Sequence, residues 1–462
     1  MNTGERNRNR FLEGVISGAA AGILSLLAIQ YLSRILREPS LLSRLVLPDS
    51  TDFNSIDARA LFIAAENLRA EIEERSLADG QVKQILHAGY RNFRESWARD
   101  FGFASYGLLA LEEDQTVRET LEAYFFYQSP QGQLPVKLHS VGSFTRFLYS
   151  LFEREQPLKL ALKPRYNSAH GAPSLDGQAL LVIAALNYSR KRSDLDFLRR
   201  YWGDLQRAMQ WLDGAINVPG NPLLHQGAFA DWADSIARRG HVLYTNVVYW
   251  KALQEMSLGA RMLENEDLAA YFDDKTDRVA RAIQQQFWRP DKGYFVTSKR
   301  LTQLSSDGNL LAAGWGLARP SQTEAILDAL EASGMANPVP TQVAWPPYPS
   351  HLVAVENRLG GMAHYHTKAA WLWIGAWHVI VLEQAGRGEE ARRLLGRMAE
   401  VIVRDGQVME VYGTDGQKLS TLWYKSESPL TWNAGLVVYA FHLLEAGTGG
   451  YEDPAQNIIK EI

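Results

Sequence analysis

The sequence predicts an all-α protein built as an (α/α)6 barrel, six helices in an inner ring and six in an outer one. Three observations lead there. From about residue 56 the apolar periodicity is helical, with few alternating strand-like runs. The helices come in two kinds, one amphipathic and charge-rich, the other apolar nearly all round. The two kinds alternate along the chain. An amphipathic helix buries one stripe, whereas a helix without a polar face has to be surrounded by protein. A solenoid of helical repeats would not make every second helix so apolar.

The chain begins with a different element. Residues 14–33, GVISGAAAGILSLLAIQYLS, carry no charge and are long enough to span a bilayer as a helix. Arg6, Arg8 and Arg10 precede the run, and Arg34 and Arg37 follow it. Gly14, Gly18 and Gly22 repeat at the spacing that lets membrane helices approach closely, a route to self-association. No small-x-small cleavage site follows. The reading is an uncleaved, single-pass membrane anchor within residues 1–37, with its orientation left open by arginines on both sides. Residues 38–55 read as a linker, 56–446 as the barrel and 447–462 as a tail.

Within the barrel, the half-wet helices are expected at 56–78, 114–128, 193–215, 265–288, 320–333 and 388–404. The apolar ones are expected at 97–111, 174–188, 241–253, 309–318, 369–382 and 431–444. Ser321 and Glu324 supply a capping box at one outer start. Each apolar helix passes to its outer partner through a short turn. Most returns are long: 129–173, 216–240, 334–368 and 405–430. In a double ring these returns open onto one end, at the N-termini of the inner helices, and long loops are where function collects.

Polar residues gather at those entries. Arg99 and Asp100 lie in SWARDF, Asp176 in SLDG, Asp231 and Asp234 in ADWADSIARRG, and Asp307 in SSDGN. His364 and His366 lie in AHYHTKAAWLW, Glu410 in MEVYGTDG and Glu427 in YKSES. Each alone reads as a helix cap, a dipole partner or a turn former. On one rim, among Trp232, Tyr365, Trp371, Trp373 and Trp423, they read together as a sugar site. Paired carboxyl groups suit glycoside hydrolysis, one protonating the leaving oxygen and the other activating water.

Other chemistries lack their motifs. There is no H-E-x-x-H, Gly-rich phosphate loop or G-x-S-x-G elbow. His364 and His366, two apart, are a weak metal signal, and hydrogen bonding is the favoured use, so no metal or cofactor is expected. A balance of 48 basic against 52 acidic residues argues against a nucleic-acid partner. With no cysteine there is neither a disulfide framework nor a thiolate zinc site.

These blocks carry a family resemblance. From about Trp97 to Leu444 the chain resembles the amylo-α-1,6-glucosidase part of glycogen-debranching enzymes, and nearly as well the alkaline/neutral invertases. WARDFGFASYGLL is similar to their first inner helix, and YNSAHGAPSLDGQALLVIAALNY to a sugar-binding block. That likeness gives Asp176 a substrate-binding role. WADSIARRG resembles the W-M-D block and makes Asp234 the general acid, with Asp231 the near alternative. YHTKAAWLW places Tyr365, His366 and Trp371 in the pocket, with Lys368 standing where the family has glycine or proline. MEVYGTDG makes Glu410 the base.

The resemblance implies an inverting hydrolase of an α-glucosidic bond. Arg99, Asp100, Asp231, Trp232 and Glu427 join the substrate-binding set. Polymer-holding domains usual in debranching enzymes are not seen before the barrel, so a small or anionic glycoside is expected, with Arg94, Arg99, Arg238 and Lys368 either meeting its charge or pairing with rim carboxylates. Sucrose cleavage and a sugar-binding protein without activity are the competing readings.

Overall fold

The computed structural model describes residues 25, 27–38, 55–158, 160–216 and 219–447. Contacts divide the chain into two compact units, one of residues 1–49 with 141–157 and the other of 50–140 with 158–462.

In the larger unit the apolar helices are α3 (Ala98–Ala110), α6 (Leu175–Arg192), α8 (Leu243–Met262), α10 (Ser306–Gly314), α13 (Leu372–Gln384) and α15 (Thr431–Gly447). Each packs on the next and α15 packs on α3, so the inner ring closes. Outside lie α2 (Ile56–Arg69), α4 (Asp114–Phe126), α7 (Leu195–Asp213), α9 (Glu266–Phe287), α11 (Pro320–Ala332) and α14 (Gly388–Asp405). The first helix of the barrel, α2, packs on α14 and α15 and completes the outer ring. The (α/α)6 expectation holds, and so does the alternation that produced it. In α13 every residue from Leu372 to Leu382 is buried, as a helix without a polar face demands.

The closure of α15 on α3 depends on glycine. A Cβ on Gly107 would lie 2.2 Å from the Gly435 carbonyl oxygen, and one on Gly435 would lie 2.7 Å from the Ala104 Cα. Only bare backbone fits between these two helices. At the pocket end of the ring the axis is filled with aromatic rings. Trp373 stacks on Phe103 at 5.1 Å and meets Trp232 edge-on at 4.9 Å.

Several boundaries differ from the sequence reading. The helix expected to reach residue 78 ends at Arg69 and gives way to an antiparallel hairpin, β1 (Ile72–Ser76) with β2 (Val82–Leu86). Its turn holds Gly80 at φ +88°, and the Asp79 side chain accepts the Gln81 N–H at 3.0 Å. Asp-Gly is a turn signal that the charged helical pattern hid. Helix α8 runs on to Met262, and α10 is confined to Ser306–Gly314. The expected capping box is shifted two residues. Pro320 takes the first helical position, and the Gln322 side chain accepts the Arg319 N–H at 2.9 Å.

The long returns carry short pairings that fix the mouth of the barrel. Strands β3 (Ser96–Trp97), β4 (Lys137–His139) and β5 (Lys163–Arg165) form one small antiparallel sheet. Isolated bridges join Gln342 to Ala370 and Ala370 to Tyr412, so the loops entering α13 and α15 are tied together.

The smaller unit contains a helix over 27–37, here α1, and α5 (Ser143–Leu151). The Tyr31 hydroxyl donates to Thr145 Oγ1 at 2.7 Å, and Arg154 Nη1 donates to the Glu38 carbonyl at 3.1 Å. Most of the uncharged run 14–33 lies outside the described residues. Among those described, no helix is long and apolar enough to cross a membrane.

Candidate active site

Every acidic residue expected at the rim sits where a long return enters an inner helix, but their surroundings divide them into two groups. Asp176, Asp231, Asp307 and Glu427 are fully buried and already bonded. Arg99 grips Asp176 through Nε at 2.6 Å and Nη2 at 3.2 Å. Ser174 and the Gly177 N–H also donate to Asp176. Burial alone would raise the Asp176 pKa, but the Arg99 charge and these donors hold it below the usual range. Arg238 lies buried between Asp231 and Asp307, 2.8 Å from each. Glu427 accepts the N–H groups of Arg91 and Asn92. These carboxylates shape the rim from behind it.

Asp234, Asp100 and Glu410 form the second group. The Asp234 side chain is 46% exposed, and its Oδ1 lies 3.9 Å from His366 Nδ1. Surrounding protein excludes enough water to push its pKa up to about 6, against the lowering charges of Arg99 and His170. This separates it from Asp231, three residues earlier, which an arginine has neutralised. Asp100 is half-buried, and burial pushes it up to about 7 against the charge of Arg99.

Glu410 is buried at the entry to α15. The hydroxyls of Tyr365 and Tyr424 both donate to its carboxylate, and the Glu427 N–H donates at 2.9 Å. Burial pushes its pKa up to about 7; the three donors oppose that, and the Glu427 charge adds to it. Asn433 of α15 holds the Glu410 carbonyl at 2.9 Å and so anchors this segment to the inner ring.

His366 connects the two halves of the site. Its ring stacks on Trp371 at 5.2 Å, and Nδ1 lies 2.9 Å from Ser235 Oγ. Burial and the charges of Arg238 and Arg99 lower its pKa well below the usual value, so the ring is neutral. A neutral imidazole does not stabilise an ionised Asp234, which leaves that carboxyl free to hold a proton. Next to His366, Tyr365 reaches Glu410.

The aromatic residues stand differently from the expectation. Trp232, Trp371 and Trp373 are buried, with Trp232 packed edge-on against the other two. They cannot present open faces to a sugar. The Trp232 indole N–H instead donates to Asp307. Trp423 is 61% exposed beside Tyr424, His364 is exposed, and Lys368 is half-buried. Of the expected cations, Arg99 and Arg238 are bound to carboxylates, and Arg94 donates to Glu73 at 2.9 Å.

Two contributors were not foreseen. Tyr424, the second hydroxyl on Glu410, stands between Trp423 and Glu427 in LWYKSES, a stretch singled out for its neighbours. His170, in YNSAHGAP, packs on Phe229 at 4.5 Å and lies 3.4 Å from Glu356. Its side chain acts on Asp234 through space. Neither residue has a local pattern that marks it.

Known proteins share this fold. Residues 139–337 match the family described as bacterial alpha-L-rhamnosidase 6 hairpin glycosidase domain. No curated protein matches the sequence. Among solved structures, a rhamnosidase from Klebsiella oxytoca with rhamnose bound superposes with a TM-score of 0.62 at 14% identity, covering 87% of this chain. The chain spans 66% of that rhamnosidase's length. A mannosylglycerate hydrolase from Thermus thermophilus in complex with glucose superposes with a TM-score of 0.58 at 12% identity, covering 82% of this chain and 99% of the hydrolase. The chain shares the fold of these six-hairpin structures, and residues 139–337 are similar to the matched family.

Proposed function

We propose that the protein hydrolyses a small α-glycoside with inversion, Asp234 acting as general acid and Glu410 as general base. The observation that carries the proposal is the contrast among the rim carboxyls. Four are buried and bonded, whereas the Asp234 side chain is 46% exposed with its pKa pushed up to about 6. Glu410 accepts from two tyrosine hydroxyls and one backbone N–H. The three donors favour the ionised form that a base needs, opposing the burial that pushes the Glu410 pKa up to about 7.

In this reaction Asp234 gives its proton to the glycosidic oxygen as the bond to the anomeric carbon breaks. Water attacks that carbon from the opposite face and passes a proton to Glu410. Inversion of this kind needs roughly 6.5–9.5 Å between the two carboxyl groups, room for the water. Asp100 and the Arg99–Asp176 pair stand at the same entries and are proposed to bind sugar hydroxyls. The uncharged run 14–33 is read, within the same proposal, as the element that holds the enzyme at a membrane.

For the sugar, an α-glucoside is the first choice, on the W-A-R-D and Y-N-S…D blocks. An α-L-rhamnoside is the second, favoured by the family matched over residues 139–337. Purified protein screened against isomaltose, maltose, trehalose, sucrose, glucosylglycerate and aryl α-L-rhamnosides decides between them. Sucrose alone cleaved would favour the invertase reading instead. Asp234→Asn and Glu410→Gln should each abolish turnover while sugar affinity by calorimetry stays within a few-fold. Turnover surviving in both variants would remove the assignment.

A further inference from the structure

The exposed apolar side chains of this protein are unevenly placed. Among the described residues eighteen large hydrophobic side chains are exposed, and eight of them, Leu27, Ile29, Tyr31, Leu36, Phe144, Phe147, Leu151 and Phe152, belong to the small unit of α1 and α5. That unit supplies only a small part of the described chain, so the concentration is a property of the unit. An exposed apolar cluster of this density marks an interaction surface.

Helix α5 has the stronger pattern. Phe144, Phe147 and Leu151 stand at i, i+3 and i+7 and share one face, with Phe144 73% exposed. Tyr149 turns the other way and is buried, as is Ile35 of α1. One face thus packs within the unit and the other faces out. Nine residues rise only about 14 Å, less than half a bilayer's hydrocarbon thickness, so α5 is too short to span. A short helix with a bulky apolar face suits the plane of a membrane interface.

The neighbouring sequence identifies what covers this face. Residues 27–33 of the uncharged run belong to α1, and α1 is bonded to α5 through Tyr31 and Thr145. Helix α5 is thus bonded to a helix that contains the end of a run of bilayer-spanning composition. Residues 141–157 contain two arginines and two glutamates, a net charge of zero. Attraction to anionic headgroups is not needed.

We propose that α5 is a second membrane contact, lying in the bilayer interface with Phe144, Phe147 and Leu151 among the acyl chains. This extends the anchor reading of residues 14–33 to a segment more than a hundred residues away and is independent of the hydrolase assignment. The absence of cysteine makes the test direct. Full-length Phe144→Cys and Phe147→Cys, each carrying an environment-sensitive fluorophore, are reconstituted with phosphatidylcholine vesicles. Glu389→Cys, on an exposed helix start of the barrel, is the reference.

The labels at 144 and 147 should shift to the blue and be quenched at least about threefold more by lipid-borne nitroxides than the label at 389. Added salt and anionic lipid should change this little. Vesicle association with both labels still in water would leave the anchor and overturn the α5 contact. No association at all would overturn both. Labels protected without vesicles, together with a doubled mass in solution, would make a second copy the occupant and overturn the proposal as well. Hydrolysis assayed on the same samples reports separately on the site.

Discussion

Replacing Tyr424 with phenylalanine removes one of two hydroxyl donors from Glu410 and keeps the ring. Those donors favour the charged carboxylate, so losing one raises the Glu410 pKa. A hydrogen bond to a charged group contributes about 1.5–3 kcal/mol, equivalent to a shift of roughly 1–2 pH units at this buried position. With Asp234 near 6 and Glu410 near 7, the productive form has the acid protonated and the base ionised. It makes up only about 6% of the protein at its maximum near pH 6.5. Raising the base by about 1.5 units cuts that fraction to roughly 0.3%, about a twentyfold loss, and moves the optimum to about pH 7.2.

The profile of kcat/KM against pH measures both effects. If the roles were exchanged, with Glu410 the acid and Asp234 the base, the same substitution would act oppositely. The productive fraction would then rise from about 60% to about 90%. An unchanged or rising maximum in Tyr424→Phe would therefore refute the assignment, because the two arrangements differ in amplitude while sharing the same limbs.

Three further predictions concern stability. Arg238→Ala leaves Asp231 and Asp307 buried without their cation and should cost about 3–5 kcal/mol in urea denaturation; a loss below about 1 kcal/mol would mean that those carboxyls find other partners or take up protons cheaply. Gly435→Ala drives a methyl into the α3 backbone and should cost about 1–3 kcal/mol. Gly396→Ala, on α14 where an added Cβ meets nothing within 4 Å, should instead stabilise by about 0.4–1 kcal/mol; equal effects from both glycines would contradict the close-approach argument.

The barrel was legible because its signal is redundant. Twelve helices repeat the same contrast of faces, and an error of several residues at α8 or α10 leaves the alternation intact. The residues before each inner helix were legible for the same reason, since ring geometry brings them to one end whatever the loops do. What could not be read was which of them remain free. Asp231 and Asp234 are three apart and chemically identical in sequence. Only the fold shows that Arg238 takes the first and leaves the second open.

Tryptophans misled in the same way. Trp232 and Trp371 adjoin site residues in sequence yet are buried among other rings, Trp232 meeting Trp371 edge-on at 5.5 Å. The hairpin at 72–86 was hidden by charged residues that suit a helix surface and a solvated strand equally. Helix α5 lay inside a segment read only as a long return, and its nine residues are too few for periodicity to stand out.

The closure of the two rings has a consequence for how the chain is made. The first barrel helix, α2, rests on α14 and α15, and α3 meets α15 through the Gly107–Gly435 approach. The packing partners of α2 and α3 on that side thus follow the rest of the barrel in the chain. Until about residue 431 leaves the ribosome, the apolar flank of α3 has no permanent cover, and the nascent chain is a broken ring with two adhesive edges. Contacts of such long sequence separation form late, because the intervening loop must first be closed. Premature release or a stop codon before α15 would therefore yield an aggregation-prone arc rather than a smaller barrel. Closure of the barrel rests on α15 arriving while α2 and α3 are still held apart from other chains.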